Sequence, residues 1–597
     1  MDNRRNAPAI PGSNAQMVTK LLFRLLPVQI MLAAISALNG MISGLFASNC
    51  IGELAMSAVA LYGPVNMLIG ALSTMFFSGA TVLCGNYLGR NQPEKLQNLF
   101  SLDIVLSTLF SAAFVLFLVI ISVFDLSGFL ARDGAVRPHF NQYLLGQAIG
   151  VLPFFLGNQL SAFLSMENQM RRTTAASFVL LAANTLLNVL FVLLLHWGTF
   201  GLALASSLSL WAFLAVEALY FIRPESSLRF TFRKLSWRES GPIIKIGFPG
   251  AASNVYQTAR GLIVNGLITL YVGSAGLSAF AASDSILRLF WAIPTGMVVV
   301  SRMLISISIG EEDRRTLSDV MRNMFRRFLP LQAAVSLLII LLAVPFTGFF
   351  YHDPSAPVFG MTVCGFRILP LCMPLSVICM HFVCYGQASG KQALVHLLSV
   401  LDGVVSVAGF SALLVPHIGM NGVYIANVLN GVVTTVVIFG YACLKNRAFP
   451  RNMEQLMVIP SDFGVSEADR LDLTVRDMDG VVAISEQVQA FCRKKGLDER
   501  RSVLAGLCME EMAGNVVDHG FRKDRKAHSV DIRVVYREDS VLLRIKDDCI
   551  PFDPAERQKL FNPEDPSKNI GINMVYRIAE EINYQNILGL NVLTIRI

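Results

Sequence analysis

The sequence predicts a mostly α-helical membrane protein with twelve transmembrane helices in two six-helix repeats, followed by a soluble α+β sandwich. Three observations lead there. Apolar residues fill 54% of the 597 positions and charged residues 15%, where an ordinary soluble chain carries roughly 25% charged residues. A basic stretch, Arg223–Lys245, sets Arg223, Arg229, Arg233, Lys234, Arg238 and Lys245 against only Glu225 and Glu239, with a long apolar tract on either side. After Lys445 charges become frequent and no apolar run is long enough to cross a bilayer.

A spanning helix needs about 20 mostly apolar residues. Candidates lie near 21–46, 55–84, 100–124, 141–165, 174–195 and 199–222 before the basic stretch. Six more lie near 246–271, 276–308, 328–350, 359–386, 392–415 and 420–443. Lys and Arg are retained on the cytoplasmic side of a membrane. Arg4, Arg5 and Lys20, then Arg90 and Lys95, Arg171 and Arg172, the central basic stretch, and Arg314, Arg315, Arg322, Arg326 and Arg327 all fall on one side. The opposing turns Ser48–Glu53 and His196–Gly201 carry neither residue type, whereas Asp125–His139, with Arg132 and Arg137, runs against the trend.

The expected layout is a cytoplasmic tail at 1–19, six spans in 20–222, a basic cytoplasmic linker at 223–245, six spans in 246–445, a linker at 446–469 and a cytoplasmic domain at 470–597. That places the chain in the lipid of the cytoplasmic (inner) membrane with both termini inside. Met1–Lys20 is polar and no small-residue cleavage site follows it, so no cleavable signal peptide is expected. The net charge of +7 is spread over loops and forms no stripe, so no nucleic-acid partner is expected. The ten cysteines form no CxxC pair and no Cys/His cluster at zinc spacing. Those inside apolar runs, such as Cys84, Cys372 and Cys379, act as small hydrophobes.

The two halves repeat. Gly52 matches Gly273, His196 matches His417, Gly198 matches Gly419, Gly201 matches Gly422 and Ala205 matches Ala426, all at an offset of 221; Pro27 and Pro249 match at 222. Transport sites tend to lie between such halves. The stretches IGELAMSAVALYGPV, GNYLGRNQPEKL and GFPGAASN resemble the MATE (multidrug and toxic compound extrusion) family over roughly residues 17–445. The resemblance implies a transporter that rocks between inward- and outward-facing states. It would export small organic or cationic substrates in exchange for Na⁺ or H⁺. Lipid- and polysaccharide-exporting relatives in the same superfamily fit the motifs too.

One position departs from that pattern. Many family members carry an intramembrane Asp in the first helix where this chain has Ser43, and Ser43 cannot titrate. Charges occur instead in the second half: Arg260 in YQTARGLIVNG, Asp284 and Arg288 in AASDSILRLFW, and Asp402 in LLSVLDGVVSV. A charge at a helix centre costs roughly 2.5–3.5 kcal/mol on insertion scales, so it faces a cavity or a partner. Two readings stand side by side. Asp284, Arg260 and Asp402 line a central cavity, with Asn254 and Gln257 on a neighbouring helical face; or the charges form a structural pair, Arg260–Asp284 or the i,i+4 pair Asp284–Arg288. Glu217, near a helix end, is expected to snorkel to the surface.

In the tail, Asn446–Asp469 reads as a linker, Leu471–Val475 as a strand, and Val481–Lys495 and Glu499–Asp518 as helices. Ser529–Tyr536 and Val541–Ile545 read as antiparallel strands, Gly571–Ile582 as a helix and Asn591–Ile597 as a last strand. Three motifs follow in order. In Glu510-Glu511-Met-Ala-Gly-Asn515-Val-Val-Asp518-His519-Gly520, Glu511 and Asn515 share a helical face. A carboxylate beside an amide oxygen suits Mg²⁺ and the activation of a hydroxyl nucleophile. In Lys546-Asp547-Asp548-Cys549-Ile-Pro551-Phe552-Asp553-Pro554, an Asp at a strand end suits an exocyclic amine. In Asn569-Ile570-Gly571-Ile572, a glycine opens a helix whose N–H groups suit phosphate.

Taken together these motifs resemble the GHKL (Bergerat-type) ATP-binding fold over about residues 470–597, most nearly the anti-sigma-factor serine kinases. The resemblance implies that Glu511 is the general base, Asn515 the Mg²⁺ ligand and Asp547 the adenine acceptor. Asp518, Cys549, Asn569, Gly571 and Ile572 would complete the nucleotide site. Cys549 and Asn569 stand where the pattern has glycine, and Ala555–Lys568 leaves room only for a small lid. No GxxxxGK(S/T) phosphate loop occurs, so ATP is not expected to drive transport directly.

Three functions fit. The first is a MATE-like exporter with a regulatory ATP-binding domain. The second is a membrane-anchored sensor whose serine kinase acts on a small regulatory protein of the anti-anti-sigma type, which the missing acid at Ser43 favours. The third is a lipid-linked-glycan flippase, to whose cavity Arg260, Arg288 and Arg302 would contribute.

Overall fold

A computed structural model describes residues 15–51, 53–129, 131, 134–224, 226–232, 235–521, 528–537, 539–555 and 570–597. Gly52, Arg132 and Asn569 lie outside the described residues, as do Arg4, Arg5, Glu225, Arg233, Lys234 and nearly all of the expected lid. The first half comprises α1 (Ala15–Phe46), α2 (Glu53–Gly89), α3 (Pro93–Val123), α4 (Arg137–Met166), α5 (Met170–Asn188, continued by a π turn over Val189–Leu194) and α6 (Gly198–Phe221). The second comprises α7 (Ser240–Tyr271), α8 (Ser274–Phe290), α9 (Ala292–Gly310), α10 (Arg314–Asn323), α11 (Leu329–Leu341), α12 (Ala343–Gly348), α13 (Pro357–Ile368), α14 (Cys372–Ala388), α15 (Gln392–Val400), α16 (Ser406–Ile418) and α17 (Met420–Asn446).

Among the described residues, eleven helices are long and apolar enough to cross a membrane. The expected seventh span, α7, has 32 residues but carries Asn254, Gln257, Thr258, Arg260 and Asn265 along its length, and is too polar to count among the eleven. The expected eighth span breaks at Trp291 into α8 and α9, three residues before Pro294, whose ring cannot continue the hydrogen-bond ladder. Glu217 does not snorkel. It is fully buried and accepts a hydrogen bond from Ser161 Oγ at 2.6 Å, over the gap that Gly157 leaves on α4.

The repeat extends further than the matched glycines. Gly198 and Gly419 both adopt a left-handed backbone, φ +56° and +58°. The turns Gly89–Gln92 and Gly310–Asp313 stand at the same offset of 221, and their third residues, Asn91 and Glu312, are both left-handed, φ 56° and 54°. Glycine also decides how the halves meet. A Cβ on Gly79 would lie 2.1 Å from the Ile243 carbonyl oxygen, one on Gly247 1.8 Å from that of Met75, and one on Gly310 2.3 Å from that of Asn86. Gly40, Gly44, Gly63, Gly70, Gly261 and Gly266, toward the other ends of α1, α2 and α7, face open space. The halves are therefore in backbone contact on the side of the tail, while toward the other side these glycines leave open space and Thr258 Oγ1 reaches Met67 Sδ at 2.8 Å.

Asn446–Asp469 is no free linker. Its short helix α18 (Met453–Met457), capped by Asn452, buries Leu456 and Met457 against the bundle. Arg314 Nε binds Glu454 at 2.7 Å and Lys391 Nζ the Val458 carbonyl at 2.8 Å. Beyond it lie β1 (Arg470–Val475), α19 (Met478–Lys494), α20 (Glu499–Asn515), β2 (Val530–Arg537), β3 (Ser540–Asp547), α21 (Ile570–Ile578), β4 (Glu581–Ile587) and β5 (Leu590–Arg596). The strands form one antiparallel sheet in the order β1-β2-β3-β5-β4. The expected last helix stops at Ile578, and β4 is a strand the sequence reading missed. The side chains of Asp477 and Asp498 cap α19 and α20, each worth about 1 kcal/mol.

Strand alternation gives this sheet two working faces. Leu473, Val475, Val530, Ile532, Val534, Val541, Leu543, Ile545, Leu593 and Ile595 join the helices in a buried core. The opposite face turns to the membrane bundle. There Ile587, Leu588 and Val592 extend the core that holds Val18, Leu21, Leu304 and Ile307, while Arg533, Arg537, Arg544 and Lys546 meet the turn Glu311–Asp313.

Candidate functional site

The three tail motifs converge. The α20 periodicity puts Glu511 and Asn515 on one half-buried face, and Asn515 Nδ2 donates to Glu511 Oε1 at 3.2 Å. That bond leaves the Asn515 amide oxygen for a cation, so the pair fits Mg²⁺. Gly571 opens α21 directly against this pair: a Cβ there would lie 1.8 Å from Glu511 Oε1. At the end of β3, Asp547 is buried and accepts the Cys549 backbone N–H at 2.9 Å and Asn591 Nδ2 at 2.7 Å. Burial raises its pKa, with the Asn591 and Cys549 hydrogen bonds opposing.

Asn515, Asp547, Cys549 and Asn591 line a cleft of about 50 Å³ with Met512, Val516, Gly520, Phe552 and Tyr584. Cys549 is buried there, its thiol within reach of a Cβ on Gly520. Ile572 points its side chain into the domain core. Asp518 sits on the π turn that ends α20, 3.7 Å from the exposed His519. Sequence reasoning missed Asn591 and Tyr584. Asn591 ties Asp547, Cys549 and Tyr584 together, and the Tyr584 hydroxyl accepts the Phe552 N–H at 3.0 Å. The signal was an Asn at an inward position of the last strand, whose other inward residues, Leu593 and Ile595, are apolar.

Among the described residues, one polar network in each half of the bundle contains positions singled out from the sequence. In the first, Ser43 Oγ lies 3.3 Å from Ser206 Oγ and accepts Asn184 Nδ2 at 3.2 Å, while Asn188 Nδ2 donates to Asn184 Oδ1 at 3.0 Å. The members of this network are all neutral amides and hydroxyls. In the second, Arg260 Nη1 donates to the Asp402 carbonyl at 3.2 Å, and Asn430 Nδ2 to Asp402 Oδ1 at 2.8 Å. Asp402 sits in a π turn, Leu401–Val405, whose altered ladder aims carbonyls sideways. Asp284 pairs with Arg288 at 2.6 Å and not with Arg260. Asn254 Nδ2 reaches across to Thr74 Oγ1 of α2 at 3.2 Å, whereas Gln257 Nε2 donates to Ser253 Oγ on its own helix, at 3.4 Å.

With this geometry in place, comparison with known proteins is specific. Residues 27–191 match the MatE family and residues 475–597 the histidine kinase-like ATPase domain. The probable multidrug resistance protein NorM of Bacillus licheniformis is 22% identical over 310 residues, 50% of this chain and 66% of that protein. The probable multidrug resistance protein YpnP of Bacillus subtilis is 26% identical over 284 residues, 46% of this chain and 61% of that one. The matched stretch thus falls just short of two thirds of these relatives' length. Among solved structures, an outward-facing multidrug resistance MATE transporter of the MOP superfamily superposes with TM-score 0.66 at 21% identity, covering 73% of this chain and 97% of that one. A MOP superfamily transporter from Pyrococcus furiosus, described as having a binding pocket of reversed polarity, gives 0.65 at 21%, covering 74% and 100%. A Vibrio cholerae MATE transporter gives 0.67 at 17%, covering 72% and 98%. These likenesses establish the fold of the bundle. The chain is therefore a multi-pass membrane protein that joins a MatE domain to a C-terminal histidine kinase-like ATPase domain.

Proposed function

We propose that this chain is a MATE-like secondary-active exporter of small organic, chiefly cationic compounds, driven by Na⁺ or H⁺ and regulated by ATP bound to its tail. The observation that carries the reading is convergence: Asn515 and Asp547, from two separate motifs, line one cleft, and Gly571 of the third lies against Glu511, the partner of Asn515, on a domain seated against a two-half transporter bundle. Asp547 is the acceptor for the adenine amine. Asn515 would hold Mg²⁺, which supplies charge neutralisation at the phosphates, and Glu511 is placed to accept a hydroxyl proton. The cleft has room for about two waters at ~30 Å³ each, so a purine is admitted only as Ile550 and Phe552 give way. The side of the bundle that bears the tail is cytoplasmic, since Arg90, Lys95, Arg171, Arg172, Arg314 and Arg315 gather there.

Coupling falls to the second half. The Ser43 network has no titratable member, whereas Asp402 and Asp284 can each bind or release a cation. Vesicles carrying the full chain, loaded with a cationic dye and given an imposed Na⁺ or H⁺ gradient with and without ATP, test the reading. Gradient-driven export that changes with ATP supports it. Absence of export under both gradients, with labelled phosphate passing from ATP to a small regulatory protein, would instead favour the sensor kinase, a reading that the neutral Ser43 centre keeps in play.

A further inference from the structure

The outer face of the tail sheet touches the two equivalent turns of the bundle at once. Gly89–Gln92 and Gly310–Asp313 abut each other across the seam between the halves: a Cβ on Gly89 would lie 2.4 Å from the Ile307 carbonyl oxygen, and one on Gly310 2.3 Å from that of Asn86. The first turn reads Gly-Arg-Asn-Gln and the second Gly-Glu-Glu-Asp. On the second, Lys546 Nζ binds Glu311 at 2.6 Å, Arg533 Nη2 binds Asp313 at 2.8 Å and Arg537 Nη1 binds Glu312 at 3.3 Å. On the first, Arg544 Nη2 donates to the Gly89 carbonyl at 3.5 Å and Gln585 Nε2 to Asn91 Oδ1 at 2.9 Å. Arg544 spans the seam, since its Nη1 also lies 3.7 Å from Glu311. The Leu588 N–H reaches the Met166 carbonyl at 3.3 Å. The Glu311 and Asp313 side chains are 3% and 2% exposed, so their pairs are shielded from solvent, whereas Arg537 and Glu312 pair at the exposed rim.

Resting on the reading of the bundle as an alternating transporter, we propose that the outer sheet face is a docking surface for both turns, and that docking braces the halves shut on this side. A brace bound to both turns must release at least one of them before the halves can part. The nucleotide cleft shares the strand that makes the contact. Arg544 and Lys546 project to the turns from β3, while Ile545 and Asp547, one residue out of phase, project to the core and the cleft. A shift of β3 that accommodates adenine at Asp547 therefore also moves the residues that hold Glu311.

The test reads distance and needs no transport substrate. Spin labels go on Lys95→Cys in α3 and Leu444→Cys at the end of α17, both exposed and one in each half. The background replaces Cys50, Cys364 and Cys443 with Ser, the other cysteines being buried. The wild-type turn should give one short distance population. Glu311→Gln with Asp313→Asn, where Asn retains a cap for Thr316 N–H, should raise a second, longer population by about tenfold. Arg533→Gln with Lys546→Gln strikes the same contact from the other partner and should do the same, which guards against a folding defect in either variant. Hydrogen exchange over β2 and β3 reports whether the sheet has left the turns. Release of the sheet with an unchanged single distance population overturns the brace, as does a sheet that stays docked through all four substitutions. Lack of dye export by a chain whose distances respond as expected would count against the exporter reading and leave the brace standing.

Discussion

Gly247→Ala is the most direct probe of how the halves close. The added methyl would start 1.8 Å from the Met75 carbonyl oxygen and 2.7 Å from its carbon, both backbone atoms. Ordinary van der Waals contact begins at 3.4 Å, so α2 and α7 must part by about 1.6 Å at this point or distort. Overpacking of a tight contact costs about 1–3 kcal/mol. The cost falls on the closed arrangement alone, because the glycines at the far ends of the same helices already face open space. It converts into a shift of about 5- to 150-fold toward the arrangement open on the tail side. Ser78 is fully buried in the seam, with its hydroxyl 3.5 Å from the Gly247 carbonyl. In a Ser78→Cys background, alkylation by a membrane-impermeant maleimide applied from the tail side should accelerate by that factor when Gly247→Ala is added. Gly44→Ala, which meets nothing within 4 Å, should leave the rate unchanged. An unaccelerated rate in a folded Gly247→Ala protein, or equal acceleration by Gly44→Ala, would refute the assignment of the closed seam.

Other outcomes follow from the tail. Asp547→Ala should weaken ATP binding at least tenfold and lower the preference for adenine over guanine nucleotides, because the base amine loses its acceptor; calorimetry with ATP and GTP measures both. Asn515→Ala should weaken only the Mg²⁺-dependent part of binding, read with and without EDTA. Glu511→Gln should bind ATP nearly as before yet transfer no phosphate in a labelled-ATP assay, since an amide cannot take up the hydroxyl proton. The pH response should carry two opposing signs. Asp313 is buried, which favours its neutral form, but Arg533 and Lys546 outweigh burial and hold its carboxyl well below the usual range. Its stabilising contribution is therefore present above the unfolded value of 3.8 and lost as pH falls below it. Burial pushes Asp531 up to about 6, with Thr474 and Lys546 opposing and Asp313 and Asp548 reinforcing. Its contribution is full below 3.8 and lost as pH rises toward 6, so Asp531→Asn should stabilise the chain at pH 7 by about 1–3 kcal/mol and flatten the slope between pH 4 and 6. Scanning fluorimetry of the detergent-solubilised chain over pH 3–8 reads both effects.

The bundle was legible because its cues are one-dimensional. Long apolar runs, basic turns and a constant offset need no knowledge of contacts. Glu217 was misjudged for the opposite reason: its depth depends on Gly157 and Ser161, 60 and 56 positions away in the sequence. The tail motifs gave Glu511, Asn515, Asp547 and Gly571 because each sits on a recognisable strand end or helix face. Asn591 and Tyr584 escaped because their partners, Asp547 at the end of β3 and the loop residues Cys549 and Phe552, come into register with them only in the folded sheet. β4 escaped because Glu-Ile-Asn-Tyr-Gln-Asn-Ile, an edge strand, alternates with more polar than apolar residues. The pairing of Asp284 with Arg288 was among the alternatives the spacing allowed, whereas the bond from Arg260 to a main-chain carbonyl depends on the π turn at Asp402 and has no signature in residue identity.

The unequal charge of the two matched turns has a mechanical consequence. A single tail serves a duplicated bundle, and an object without its own two-fold cannot grip both copies alike. Ion pairs fix orientation and register more sharply than neutral contacts do. Among the described residues the tail is pinned by four ion pairs to Glu311–Asp313, whereas it rests on the first half through one longer pair, Lys20 Nζ to Asp548 at 3.8 Å, and otherwise through an amide, carbonyl oxygens and apolar side chains. The second half and the tail would then move as one stator, with the first half as the swinging arm. Every stroke would part Lys20 from Asp548 and slide Gln585 and the β4–β5 hairpin past Asn91 and Met166, so friction along that weakly held track, rather than the strength of the charged anchor, would govern how freely the arm turns.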